Sequence, residues 1–520
     1  MPPKKLPFTV QGNDDRLHTE NFFKDITLKY PIDSSKSRVK IIIVLHVLAT
    51  TVYYLRALEE IGDIVAIIPK GSHKDPIILQ WLRDAYPGIF TENISKEYLA
   101  SSLNAVAFLK SKIKEDEKAV ILDIGGYFAP ALRELNQDLI TRKCLLGIVE
   151  DTENGQQKYE NALKQLPSVI MNYFPIYSSA RVTLKRMEDF NVGKSIVNAT
   201  DTLLRSEVSS MLERMQQTAV LGVGKVGEGI LEELGRRRVK NVSVYDTNLE
   251  RIGIASSRGF DIKHTEEGRK YLLQAADIIF CATGNKAING NDWFSLKDNV
   301  FIASCTSKDD ELDLSALKDF TPQKFKHVSV YTLPNGKKIN LLAHGDGINF
   351  VYGAVIGPYI HSVQASVIAG MRLVINARRD DFHSKQIDIL DDKTEKEIFE
   401  IWLKHYESAK PAPLGALALN PQTDFKQALE PSINNNNQTS FKAKTVIDAI
   451  NGGHTQVKNT ATSFEINNAS SHTAYNSATL PAKINLKTTI SSTGTGSRVE
   501  VNSNKVAQTI NEHQHKKHKK

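Results

Sequence analysis

Residues 219–234 read AVLGVGKVGEGILEEL. An apolar run closes on Gly222, Gly224 and Gly227 and passes into an amphipathic helical pattern from Lys225 to Leu234. A strand that turns sharply into a helix while leaving its backbone open to a pyrophosphate needs glycine at such positions. The helix then offers its first N–H groups to the anion. The strand itself is predicted at Thr218 to Leu221. A second apolar run, NVSVYD, ends in Asp246, about 20 residues beyond the turn, where a carboxylate accepts ribose hydroxyls and repels a 2′-phosphate. NAD is therefore expected in preference to NADP. DIIFCATG (277–284) and NVFIAS (299–304) continue the alternation of short buried strands with helix or turn signals. The expected cofactor site comprises Gly222, Gly224, Lys225, Val226, Gly227 and Asp246, with Thr283 and Gly284 at the end of the third run.

A chain of 520 residues exceeds one hydrophobic core, so two folded domains with extensions are expected. The formal charge of +7 is modest for this length and sits partly in the terminal HKKHKK, so no nucleic-acid partner is expected. Cys144, Cys281 and Cys305 are widely spaced in apolar runs, which suits reduced, buried thiols, and no metal-ligand spacing is present. No stretch reaches the roughly 18 apolar residues of a membrane-crossing helix. A soluble, cytoplasmic protein with no membrane partner and no metal is the expectation.

Outward from the glycine turn, VKIIIVLHVLA, DIVAIIPKG, AVILDIGG and CLLGIVED are apolar runs that end in polar or glycine residues, as buried parallel strands do. They define a second α/β region. LPSVIMNYFPIYSSARVTLKRMEDFNVG (166–193) reads as an irregular excursion, and KSIVNATDTLLRSEVSSMLERM (194–215) as a connecting helix. Phe350 to Arg378 reads as a long apolar helix returning to the first region. The predicted fold class is α/β: a Rossmann-type NAD-binding domain at 201–350 inserted in a substrate-type α/β domain at 38–200 and 351–430. Residues 1–37 are read as a polar, irregular arm. Residues 431–520, rich in Asn, Ser and Thr and basic at the end, lack an apolar period and are read as a disordered tail.

Several segments together resemble the S-adenosylhomocysteine hydrolase family: LHVLATTVYYLRALEEIG, VILDIGG, GIVEDTENG, VGKSIVNATDTLLRS, GVGKVGEG with Asp246, and NLLAHGDGINFV. The resemblance implies a tightly held NAD that oxidises the substrate's ribose 3′-hydroxyl, acidifying C4′. The 5′ thiol then leaves, water adds and the ketone is reduced again. It also implies a homo-oligomer.

Carried over residue by residue, the resemblance puts His46 on the first-domain histidine, Lys194 on the lysine that helps oxidise the ribose hydroxyl, and Asp151 on a ribose-facing carboxylate. Thr152 falls on a threonine that reaches NAD across the domain gap, and Asn340 on an asparagine near the nicotinamide. Other positions depart from the family pattern. Leu48, Thr50, Ile124, Ser307 and Gly347 replace polar or acid-base groups, and Asn198 or Ala199 stands where an aspartate belongs, with Asp201 the nearby carboxylate. His344 and Asp346 are candidates to replace lost groups. The basic, aromatic C-terminal segment of the family is replaced by KPAPLGALALNPQ and the polar tail.

The implied protein is an NAD-binding adenosylhomocysteinase-like chain with a degenerate catalytic set, acting on or sensing a nucleoside-like ligand. Two alternatives stay open: a working hydrolase with a reshaped site, and an NAD-dependent dehydrogenase of an unrelated small substrate.

Overall fold

The computed structural model describes residues 13–32, 38–71, 74–166, 174–306, 311–354, 356–376 and 386–406, with four short strands between 432 and 500. Residues 1–414 form one compact unit and 415–520 another.

The first sheet has five strands in sequence order, β1 (Lys40–His46), β2 (Asp63–Lys70), β3 (Ala119–Asp123), β4 (Leu145–Glu150) and β5 (Ile176–Ser178). Together with the late strand β14 (Asp388–Ile389), they lie in the order β14-β5-β4-β3-β1-β2, every pair parallel. β1 is apolar throughout because both faces are covered: Ile41, Ile43 and Leu45 enter one core layer, Ile42 and Val44 the other.

The second sheet holds β6 (Thr218–Leu221), β7 (Val242–Tyr245), β8 (Asp261–Lys263), β9 (Ile278–Cys281), β10 (Val300–Ser304), β11 (Gln323–Lys324), β12 (Val328–Thr332) and β13 (Lys338–Leu342). Its order is β11-β12-β13-β10-β9-β6-β7-β8. The six strands in the order β8-β7-β6-β9-β10-β13, all parallel, thus follow the doubly wound pattern of a dinucleotide-binding sheet, with the order reversing between β6 and β9. The first sheet reverses between β1 and β3. In open parallel sheets ligands bind at the carboxyl ends of strands beside such a reversal.

Among the helices of the described residues, α1 (Asn13–Lys29), α2 (Thr51–Ile61), α3 (Glu153–Gln165), α4 (Thr183–Leu203), α5 (Lys225–Arg236), α6 (Leu249–Ser257), α7 (Tyr359–Asn376) and α8 (Asp392–Tyr406) frame the site or the core beneath it. α7 returns to the first sheet, as its apolar composition suggests; Gly370 stands so close to Val149 of β4 that an added Cβ would lie 3.2 Å from its methyl. α4 and α5 cross at two glycines, Gly193 and Gly229, where a side chain on either would strike the other helix's backbone.

Two expectations are corrected. The N-terminal segment is helical from Asn13, and Phe22, Phe23, Ile26 and Tyr30 are buried against α2, α7 and α8. Their spacing of three and four residues is the apolar period that a polar overall composition masks. The excursion at 166–193 contains β5 and the first half of α4, which starts at Thr183. In the C-terminal unit, Ser432–Ile433 pairs with Thr439–Ser440 and Thr489–Thr493 with Gly496–Glu500, both antiparallel. The rest of the expected tail lies outside the described residues.

Candidate functional site

At the end of β6 the chain turns through Gly222 with φ +94°, its N–H donating to the Tyr245 carbonyl at 2.8 Å. A Cβ there would stand 2.5 Å from the Ala282 carbonyl oxygen, so only glycine fits between β6 and β9. Gly227 packs directly on the Gly222 carbonyl, which brings α5 close to the turn. Gly224 caps α5 without a side chain, and among the described residues a Cβ built there would touch only the Arg251 guanidinium, at 3.6 Å. The first-turn N–H groups of Lys225, Val226 and Gly227 are thereby left for an anion. Asp246, at the end of β7 and 7% exposed, accepts the Val223 N–H at 2.7 Å and the Asn248 N–H at 2.8 Å. A cradle that excludes Cβ atoms, an uncapped helix start and a carboxylate across the turn together fit a dinucleotide.

Thr283 and Gly284 stand on the loop after β9, beside Gly222. Glu311, fully buried, fixes them: its carboxylate accepts the Gly284 N–H at 2.6 Å, the Thr283 N–H at 3.1 Å and the hydroxyls of Thr283 and Thr306 at 2.8 and 3.2 Å. Burial pushes the Glu311 carboxyl up, against the pull of those donors. Nothing local in the sequence marks this acid. Asn340 is a correction. Its amide donates to the carbonyls of Asn299 and Val300, at the amino end of β10 and opposite to the end that carries the glycine turn.

A second constellation gathers at the carboxyl ends of the first sheet. His46 ends β1 and pairs in register with Lys70, which ends β2. Asp123 ends β3, and Glu150 with Asp151 ends β4. Glu150 joins two loops, accepting the N–H groups of Gly125, Gly126 and Thr152 at 2.8, 2.9 and 2.8 Å and the Thr152 hydroxyl at 2.5 Å. Burial, with Asp123 and Asp151 close by, pushes the Glu150 carboxyl up to about 8. Thr152 caps α3 by accepting the Gly155 N–H at 3.1 Å, so local capping is sufficient reason for a hydroxyl at this position. Asp151 Oδ1 is buried without a hydrogen-bond partner among the described residues. Burial raises the Asp151 carboxyl, while the charges of Lys185 and Lys70 oppose that rise.

Lys185 was not expected at the site. It lies in the first turn of α4, 8% exposed, with its ammonium 2.6 Å from Glu188 and 3.7 Å from Asp189. Asp189 in turn lies 3.9 Å from Lys225, whose Nζ donates to the Ala180 carbonyl at 2.8 Å. Charges thus run from the first-sheet crevice through α4 to the glycine turn. Burial raises Asp189 to about 7 even with Lys185 beside it, and the surrounding acids keep Lys185 protonated against burial. Lys194 lies nine residues further along α4, its ammonium 4.6 Å over the Phe190 ring. Reading 166–193 as irregular concealed the Lys185, Glu188, Asp189 spacing that places all three near one helix face.

The two sheets meet at this site through an aromatic contact. Phe350, in the turn Ile348–Tyr352 after the second sheet, stacks on His46 with ring centroids 4.6 Å apart and planes at 25°. Burial, reinforced by the Lys70 and Lys185 charges, holds the His46 imidazole well below its usual range, so it is neutral at pH 7. Gly347 makes room for this ring, since a Cβ there would lie 3.0 Å from it. His344 is bonded through its ring nitrogens to the Ser329 hydroxyl at 2.8 Å and the Lys326 carbonyl at 3.1 Å, so both nitrogens are engaged. Asp201 pairs with Arg205 and Arg237, and Asn198 accepts from Arg237, in a network bracing α4 against α5. Ser307 lies outside the described residues.

Among the described residues no cluster of His, Cys, Asp and Glu could hold a metal, and no helix is long and apolar enough to cross a membrane. All three cysteines are buried and free.

Residues 191–355 match the family described as S-adenosyl-L-homocysteine hydrolase, NAD binding domain. An adenosylhomocysteinase from Saccharolobus solfataricus is 26% identical over 333 residues, covering 62% of this chain and 74% of the relative. One from Thermotoga maritima is 25% identical over 249 residues, 46% of this chain and 57% of the relative. An S-inosyl-L-homocysteine hydrolase from Methanopyrus kandleri is 26% identical over 247 residues, 46% of this chain and 55% of the relative. The chain therefore spans little more than half the length of the last two. Among solved structures, a dipicolinate synthase from Bacillus halodurans aligns over 66% of this chain and 100% of its own at 12% identity, with a TM-score of 0.31. The dipicolinate synthase from Bacillus subtilis aligns over 71% and 98% at 13% identity, with a TM-score of 0.33.

Proposed function

We propose that this chain, whose residues 191–355 match the S-adenosyl-L-homocysteine hydrolase NAD-binding domain and which is 25–26% identical to two adenosylhomocysteinases, is a divergent member of that family that binds a nucleoside-like ligand against NAD and retains ribose-hydroxyl chemistry without efficient hydrolysis of S-adenosylhomocysteine. The observation that carries this reading is the asymmetry of the first-sheet crevice. Around Lys185, the acids Asp151, Glu188 and Asp189 supply a proton-handling set, whereas the other positions of the family pattern are apolar or already engaged.

Bound NAD supplies a hydride acceptor. Asp189, raised to about 7, is suited to take a hydroxyl proton near neutral pH. Lys185 stays an ammonium and stabilises the developing alkoxide, which a buried cation does more effectively than a solvated one. Asp151, with a buried oxygen that has no hydrogen-bond partner among the described residues, can accept a second ribose hydroxyl. Hydrolysis would ask more. A neutral His46 beneath Phe350 cannot act as an acid at pH 7, and Leu48, Ile124 and Gly347 carry no proton. Each missing acid or base costs about 10²- to 10⁴-fold.

Adding adenosine to NAD-loaded protein tests this. The reduced nicotinamide band should appear, be lost in Lys185→Met and survive in Lys194→Ala, while S-adenosylhomocysteine releases homocysteine slowly or not measurably. Rapid homocysteine release by the unmodified protein would overturn the proposal. Native mass spectrometry of protein purified without added cofactor would read retained NAD and the number of chains per assembly together.

A further inference from the structure

We propose that Arg251 sets the cofactor discrimination of the dinucleotide site, admitting a 2′-phosphated nucleotide that Asp246 alone would exclude. The inference rests on the NAD reading of the glycine turn and extends it to the adenosine end. Arg251 belongs to the first turn of α6, its N–H held by the Asn248 side chain at 3.1 Å. Its side chain is 51% exposed, and Nη1 lies 3.8 Å from Asp246 Oδ2. The guanidinium is also the nearest group that a Cβ on Gly224 would meet, at 3.6 Å. It therefore stands between the glycine turn and the carboxylate, where the adenosine ribose of a dinucleotide lies in this sheet order.

The charges at that corner decide what it tolerates. Each Asp246 oxygen already accepts one backbone N–H, from Val223 and from Asn248, and the guanidinium adds a full positive charge beside them. A lone carboxylate repels a 2′-phosphate. A carboxylate with a half-exposed arginine 3.8 Å away offers that phosphate a charge-assisted, two-pronged partner in exchange for a long ion pair. NAD needs only the carboxylate, so it remains preferred. The expected consequence is a shallow preference rather than a strict one.

Titration of the full-length protein with NAD, NADP, 5′-AMP and 2′,5′-ADP tests this, the last two isolating the adenosine end. The unmodified protein should bind NADP no more than about tenfold more weakly than NAD. Arg251→Ala should widen the NAD-to-NADP ratio by about tenfold and the 5′-AMP-to-2′,5′-ADP ratio likewise, with NAD affinity itself changing less than about threefold. Arg251→Lys should recover part of the loss. Unchanged ratios in Arg251→Ala, with NAD binding intact, would overturn the role of Arg251 while leaving the NAD reading in place. A protein that binds none of the four probes would overturn both.

Discussion

Phe350 covers His46: a ring from the turn after the second sheet lies stacked on the imidazole that ends the first strand of the other sheet. The contact explains why a histidine among strand ends and carboxylates is neutral, and it depends on Gly347 leaving space for the ring. Phe350→Ala should raise the His46 pKa toward its ordinary value of about 6.5, observed by NMR titration of the imidazole. Loss of the half-buried ring should also cost about 1–3 kcal/mol of stability. An unchanged His46 titration would show that the strand ends alone bury the imidazole.

Gly229 and Gly193 let α4 and α5 approach backbone to backbone. A methyl at Gly229 would meet the Phe190 carbonyl, with no flexible side chain to yield. Gly229→Ala should therefore destabilise by about 1–3 kcal/mol or more, as overpacking does, measured by urea denaturation. A midpoint equal to that of the unmodified protein would mean the helices separate freely.

Glu311 organises the loop that carries Thr283 and Gly284. Glu311→Ala leaves two N–H groups and two hydroxyls without their acceptor. That should cost about 1–3 kcal/mol for each donor that stays buried and unpaired, and weaken NAD binding by displacing the loop beside Gly222. Glu311→Gln should lose less. NAD affinity and melting temperature both at the unmodified level in Glu311→Ala would refute this.

His361 introduces an acid sensitivity. Its ring, 2% exposed, donates or accepts at 3.0 Å with Gln364 and lies against Phe23 and Tyr406; burial lowers its pKa to about 4. The unfolded chain binds a proton at about pH 6.5 that the folded chain refuses until about pH 4, so stability is lost as pH falls through that window, by roughly 3 kcal/mol. His361→Phe should flatten the dependence of the urea midpoint between pH 7 and 4.5 relative to the unmodified protein. Parallel pH profiles for the two would count against the histidine.

The glycine turn, the strand after it and Asp246 were legible in the amino-acid order because their causes are local. Positive φ demands glycine, a strand buried on both faces demands an unbroken apolar run, and a fixed spacing separates turn from carboxylate. Four strands of the second sheet, β6, β7, β9 and β10, and the returning helix follow from the same periodicities, whereas the short β8 and β11 and the pair β12 and β13 carry no such mark. What the order alone left undetermined depends on phase and on long-range approach. Lys185 and Lys194 are nine residues apart on one helix, and at about 100° per residue such positions face opposite sides. The lysine that reaches Asp189 is thus chosen by where the helix starts and how it lies on α5. Glu311 finds Thr283, and Phe350 finds His46, only once parallel strands have brought remote loops to one edge. Asn340 turns to the opposite end of its strand because the carbonyls of Asn299 and Val300 offer its amide a nearby acceptor pair. Local chemistry fixed the nucleotide turn; the tertiary structure decided which charged side chains stand beside it, because burial and pairing are set by neighbours distant in the chain.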